Sequence, residues 1–137
     1  MKIKNETQLV AYLKENFHKH FSHSYHLIGF DIQLFGCISN KIIGLVDIVF
    51  VRGNTKYIVE VKFNDTQQSG NFWASLKILG YCANEQLRNF RYKNKIKPVI
   101  MVRKEIVNYD FLAILRSLKI GYITFELNPE LKFNINL

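Results

Sequence analysis

The sequence predicts a mixed α/β domain: a central mixed sheet of about five strands, flanked by helices, in the order αβββαβαβ. Three observations predict it. Apolar runs between His26 and Phe63 follow one another through short connections, which makes an antiparallel meander. Two later apolar runs alternate with segments of helical spacing, which implies crossovers and some parallel pairing. An amphipathic segment precedes the first strand, and a sheet of this kind needs helices on its faces. The 137 residues are 48% hydrophobic, enough for a core in a single domain spanning residues 1–137.

The elements follow in order. Asn5 with Gln8 three residues on is a capping box, and Leu9, Tyr12, Leu13 and Phe17 recur at helical spacing, so a first helix covers about residues 6 to 17. "HLIGFDIQLFGCI" is a first strand, with Ile28, Phe30, Ile32 and Leu34 on one face. "KIIGLVDIVFV" and "KYIVEVKF" are the second and third strands. "TQQSGNFWASLKILGYCANEQL" is helical in its later part, "PVIMVRK" is a strand entered through Pro98, and "YDFLAILRSLK" is a helix with Asn108 as cap. Gly121 suits the end of that helix, and "GYITFEL" is the last strand.

The second and third strands set the chemistry. Gly53-Asn54 suits a two-residue hairpin loop, with Gly supplying positive φ. Arg52 then pairs with Thr55, Val51 with Lys56, Phe50 with Tyr57, Val49 with Ile58, Ile48 with Val59, and Asp47 with Glu60. Opposed residues have Cβ atoms about 4.5–5.5 Å apart on one face. Lys62, two residues on from Glu60, shares that face, while Val46, Ile48 and Phe50 against Tyr57, Val59 and Val61 make the other face apolar.

Two carboxylates so placed repel. The arrangement persists if one takes a proton, if the lysine neutralises the pair, or if a cation sits between them. A divalent metal suits these oxygen ligands, because Mg²⁺ takes one or two carboxylates and keeps positions for water and phosphate oxygens. A lysine beside it can hold the attacking water and stabilise charge on a phosphate. The bland alternative is an Asp–Lys–Glu ion network with no chemistry.

Charge and composition agree with a polyanionic partner. There are 19 Lys plus Arg against 11 Asp plus Glu, a balance of +8, which favours nucleic acid. No apolar run reaches the roughly 20 residues of a membrane span, and "MKIKNETQ" has no signal-peptide character. Cys37 and Cys82 have neither zinc spacing nor a disulfide framework, so the expectation is a cytoplasmic protein with no membrane partner and no cysteine nucleophile.

Asp47, Glu60 and Lys62 in this layout resemble the PD-(D/E)xK nuclease superfamily, whose restriction-endonuclease-like core has the same element order over nearly the whole chain. Val46 stands where the name-giving Pro would be. "ETQLVAYL" resembles the first helix of archaeal Holliday-junction resolvases, which makes Glu6 the match for a further acid near the metal, with Glu15 as fallback. The chain departs from the resolvases before Asp47, where "CISNKIIGL" has Lys41 as its one basic residue. It also departs from the QxxxY signature of RecB-like exonucleases, with Lys77 where Gln would precede Tyr81, and Tyr81 reads as core.

The resemblance implies a Mg²⁺-dependent deoxyribonuclease, Mn²⁺ substituting, that hydrolyses phosphodiester bonds as an endonuclease or junction-resolvase-like enzyme. Asp47, Glu60 and the Val61 carbonyl would hold the metal, Glu6 would touch it directly or through water, and Lys62 would orient the water. A chain this short is expected to act as a homodimer. The alternative is a catalytically inactive relative that binds DNA or a protein.

DNA contacts are expected from Gln67 and Gln68, and from Arg88, Arg91, Lys93 and Lys95, the last group interleaved with Phe90 and Tyr92. The four histidines, His18, His20, His23 and His26, read as a solvated basic loop rather than a zinc site. Trp73 is expected in the core or at a dimer interface, and Asp31 and Asp65 at the surface or in turns.

Overall fold

A computed structural model describes residues 2–63, 68–88, 95–107 and 109–137, with backbone alone for 68–72 and 106. The chain runs α1 (Glu6–His20), β1 (His26–Phe35), β2 (Ile42–Arg52), β3 (Thr55–Lys62), α2 (Gln68–Arg88), β4 (Lys95–Arg103), a 3-10 turn (Lys104–Ile106), α3 (Tyr109–Ser117), β5 (Gly121–Glu126) and β6 (Lys132–Asn136). The strands lie side by side in chain order in one six-stranded sheet. β1–β2, β2–β3 and β5–β6 are antiparallel, and β3–β4 and β4–β5 are parallel. The mixed sheet is thus as expected, with one strand more than the five predicted. β6 is short and Asn-rich, a composition that strands disfavour, but its Phe133 and Ile135 alternate toward the core.

Both parallel crossovers step the same way across the sheet, so right-handed connections put α2 and α3 on one face. Phe111 and Leu115 of α3 pack there with Ala74, Ile78 and Cys82 of α2 against Val49, Ile58, Ile100 and Val102. Leu9, Leu13 and Phe17 of α1 cover the other face, against Ile48, Phe50, Val59, Val61, Met101 and Ile123.

Asn5 caps α1 as expected, its side chain accepting from the Gln8 N–H at 2.9 Å, although the Gln8 side chain reciprocates to the Lys4 N–H rather than to Asn5. The helix runs to His20, a turn beyond its predicted end, with Asn16 out of helical φ/ψ and Phe17 stacked on Phe21 at 4.5 Å. α2 is helical from Gln68 onward, not only in its later part. Pro98 lies inside β4 rather than at its start, one residue before β5 begins to pair. α3 closes through Lys119 in the left-handed region (φ 57°), so Lys119 and not Gly121 takes the helix-ending conformation; Gly121 opens β5 against Leu137. Asn108 and Asp65 lie outside the described residues.

Two departures from simple alternation shape the site. β1 carries a register shift between Leu27 and Gly29, and Asp31 has φ 50°. Leu27 and Phe30 therefore face the α1 core, Ile32 and Leu34 face the α2 core, and Ile28 is 57% exposed, so the four residues do not share one face. Pairing of β2 with β3 follows the predicted register from Arg52↔Thr55 to Ile48↔Val59 and stops there. Beyond it β2 stays with β1 alone, and Val46 packs with Val49 in the α2 core instead of beside Ile48. The β1–β2 arm closes over α2. Asn84 bonds Phe35 O and the Cys37 N–H, and Gly44 meets Tyr81, whose hydroxyl a Cβ at position 44 would overlap.

Candidate metal and phosphodiester site

The opening between β2 and β3 exposes the Val61 amide, which continued pairing would have given to the β2 backbone. Asp47 takes it: Oδ2 accepts from the Val61 N–H at 2.7 Å. The carboxylate thus sits at the fork between the strands. N–H and C=O of one strand residue face the same neighbour, so the Val61 carbonyl looks into the same fork.

Glu6, in the first turn of α1, reaches Asp47 from the other face of the sheet and hydrogen-bonds it. Its pKa is pushed up to about 7, first by burial and then by Asp47, with Glu60 adding to the effect and Lys62 opposing it. Its protonated form is thereby favoured over that of an ordinary carboxyl, and in that form it can donate to Asp47. Glu15 is exposed on the same helix, about two and a half turns on.

Glu60 projects to the α2 face and is nearly buried, its side chain 7% exposed. Burial and then Asp47 raise its pKa, against the pull of Lys77 and Lys62. Both lysines hold one oxygen: Lys62 Nζ is 3.9 Å and Lys77 Nζ 3.3 Å from Oε1. The other oxygen, Oε2, is buried and has no hydrogen-bond partner among the described residues. A buried carboxylate oxygen left this way is costly, and it is the observation that admits a cation.

The structure therefore brings Glu6, Asp47, Glu60, Val61 and Lys62 to the end of the hairpin. Three acids enter from α1, β2 and β3, yet no three His, Cys, Asp or Glu side chains among the described residues stand at ready metal-ligand spacing. The donor set, carboxylate oxygens and one backbone carbonyl, fits a hard cation such as Mg²⁺.

Lys77 is the site residue that the sequence reading missed. It lies on α2 with its Nζ 5.6 Å from the Tyr81 ring centre. Its pKa is raised: its own burial works the other way, and Glu60 and Tyr81 outweigh it. Tyr81 is half-buried against the α2-face core, close to the core role expected for it. Trp73, 69% exposed, is not in the core.

Two of the expected DNA contacts, Lys95 and Arg88, lie elsewhere. Lys95 pairs with Thr55, at the far end of β3 from Lys62, about 23 Å away at 3.3 Å per residue. Arg88 is near that end too, within 3.9 Å of Glu85, which also holds Lys56, and its guanidinium donates to Phe35 O. Gln67, Arg91 and Lys93 fall outside the described residues, and Gln68 is described as helix backbone only. His18 and His23 stack at 4.5 Å and His20 bonds the Tyr12 hydroxyl. No helix among the described residues is long and apolar enough to cross a membrane.

Neither a family model nor a curated protein matches the chain. Two solved structures share its fold. An XisH family protein from Nostoc punctiforme superposes with a TM-score of 0.63 at 13% identity, covering 93% of this chain and 98% of that one. An fdxN element excision controlling factor protein from Anabaena variabilis gives 0.60 at 14% identity, covering 91% of this chain and 92% of that one. At these identities the likeness is one of fold.

Proposed function

We propose that the chain is a metal-dependent DNA nuclease of the PD-(D/E)xK kind, hydrolysing phosphodiester bonds as an endonuclease or junction-resolvase-like enzyme. The observation that carries the proposal is the convergence of Glu6, Asp47, Glu60 and Lys62 at the fork where β2 leaves β3, with Glu60 Oε2 buried and without a hydrogen-bond partner among the described residues. The αβββαβαβ order, which β6 extends by one strand, supports it. So does the likeness to a protein described as an excision controlling factor, carried here only as a pointer to DNA.

Asp47, Glu60 and the Val61 carbonyl would hold Mg²⁺ or Mn²⁺, with Glu6 alongside. A bound divalent ion would supply charge stabilisation at the phosphate and a more acidic water. The protein's own groups do the positioning. The Val61 N–H fixes the Asp47 carboxylate, so one ligand is set before any cation arrives. Glu6 holds a proton more readily than an ordinary carboxyl, and that proton must leave before it can act as a ligand. Lys62 stands beside Glu60, where it can orient a water and meet charge growing on a phosphate oxygen. We further propose a cytoplasmic, single-domain protein acting as a homodimer.

The test is cleavage in Mg²⁺ or Mn²⁺ of four-way junctions, duplexes, single strands and RNA, with D47A and K62A as controls. Cutting by the wild type and not by the variants supports the assignment. Equal cutting by all three removes it. DNA binding without cutting by any of them favours the inactive binding relative.

A further inference from the structure

Glu60 is held by two cations where the family pattern read in the sequence supplies one. We propose that Lys77 is a resident counter-cation of the metal site: it occupies Glu60 in the metal-free protein, gives it up when a divalent ion binds, and then serves the phosphate. This rests on the metal reading of the same site.

The geometry distinguishes the two lysines. Lys77 is the nearer to Glu60 Oε1, at 3.3 Å against 3.9 Å, and is the more exposed, with 47% of its side chain accessible against 27% for Lys62. A half-exposed ammonium on a four-carbon stem moves at little cost, whereas Lys62 is the final residue of β3, its backbone paired with Val102. Lys77 also has somewhere to rest. Its Nζ stands 5.6 Å from the centre of the Tyr81 ring, a favourable place for a cation. That ring is pinned, because Gly44 of the β1–β2 arm leaves room for the Tyr81 hydroxyl that any Cβ would take.

Charge gives the sequence of events. Among the described residues Glu60 Oε2 has no hydrogen-bond partner while Oε1 carries both lysines, so a cation can enter at Oε2 without first displacing either. Once two positive charges sit on that carboxylate, the ammonium on its other oxygen is repelled and the reason for its position is gone. A phosphate brought to the site restores a negative partner within its reach. The same lysine thus screens acid repulsion in the empty site and binds substrate in the filled one.

The experiment uses the full chain with Lys77→Met, which keeps the stem and removes the charge, and Lys77→Arg, which keeps both. Three readouts are taken: melting in EDTA, Mn²⁺ affinity from the electron paramagnetic resonance signal of free Mn²⁺, and DNA affinity in Ca²⁺. The expected result for K77M is a lower melting temperature in EDTA. Its Mn²⁺ binding should be tighter by about threefold to tenfold, the scale of one screened neighbouring charge, and its DNA binding weaker, with K77R near wild type. If K77M binds Mn²⁺ no more tightly than wild type, the counter-cation role is overturned; binding that D47N still abolishes would then leave the metal site itself standing. If no Mn²⁺ binds to the wild type, both readings fall together.

Discussion

Replacing Asp47 by Asn and by Ala separates two things its carboxylate does. It is a charge beside Glu6 and Glu60, and it is the acceptor for a buried amide. Both variants remove the charge. Asn keeps an amide oxygen where Oδ2 accepts from the Val61 N–H, and its NH₂ can donate to Glu6; Ala keeps neither. The difference between the variants therefore reports the amide together with the contact to Glu6. Val61 is 2% exposed, so an unsatisfied N–H there should cost about 1–3 kcal/mol. For 137 residues the unfolding entropy is about 290 cal/mol/K, which puts D47A about 3–10 °C below D47N in melting temperature. The difference between D47N and wild type isolates the charge. At pH 8 in EDTA D47N should melt at or above wild type, since repulsion is relieved and the hydrogen bonds are kept. Thermal melts followed by circular dichroism, with urea titrations to confirm an unchanged m value, read both differences. Equal melts for D47A and D47N would refute the role of Asp47 as the Val61 acceptor. A clear loss in D47N would show the carboxylate to be a stabilising member of an ion network, the opposite of a metal site waiting for charge.

Glu6 predicts a pH dependence. Its folded pKa of about 7 lies above the ordinary 4.5, so the native state keeps a proton that the unfolded chain has released; the metal-free protein should lose stability as pH rises from about 4.5 to 7 and then level off. The whole shift corresponds to about 3 kcal/mol, and the partial exposure of Glu6 reduces this to about half; E6Q should flatten that part of the curve in EDTA melts, and an unchanged slope would count against the Glu6–Asp47 contact. Gly53 has φ 59° in the β2–β3 loop, so G53A should cost about 1–2 kcal/mol in urea unfolding although open space surrounds it, and a neutral outcome would contradict the turn. Cys82 is buried with its thiol pushed up to about 12, by burial and then by Glu85, while Cys37 is exposed; a thiol reagent should label one cysteine in the native protein and both in urea.

The hairpin was legible because two strong local signals agreed. Gly53-Asn54 set the loop, apolar alternation set the faces, and the register from Arg52 to Ile48 followed from counting. Helix α1 was legible from its cap and from Leu9, Leu13 and Phe17. What counting could not supply is where alternation breaks. Continued pairing would set Asp47 directly opposite Glu60, whereas the strands part at that point and Asp47 bonds the backbone of Val61. The break arises from long-range contacts, the closure of the β1–β2 arm on Tyr81 and Asn84, and no local pattern in "KIIGLVD" announces it.

Lys77 was hidden for a related reason. Its neighbours in sequence make it an ordinary helix lysine, and against the QxxxY signature it registers only as a mismatch. It becomes informative once α2 is laid across β3, which puts its ammonium on a buried carboxylate with an oxygen that lacks a hydrogen-bond partner among the described residues. Two lysines on a single oxygen are more cation than an ion-pair network needs, and they leave the second oxygen bare in a buried position. A chain selected for stability alone is expected to settle that atom with a hydrogen bond or to replace the acid with an apolar side chain, as buried ion pairs commonly tolerate. Retaining Glu60 with one oxygen covered and one open makes physical sense where the open position is used, and a divalent cation, whose charge would offset Asp47 and Glu6, is the partner proposed for it.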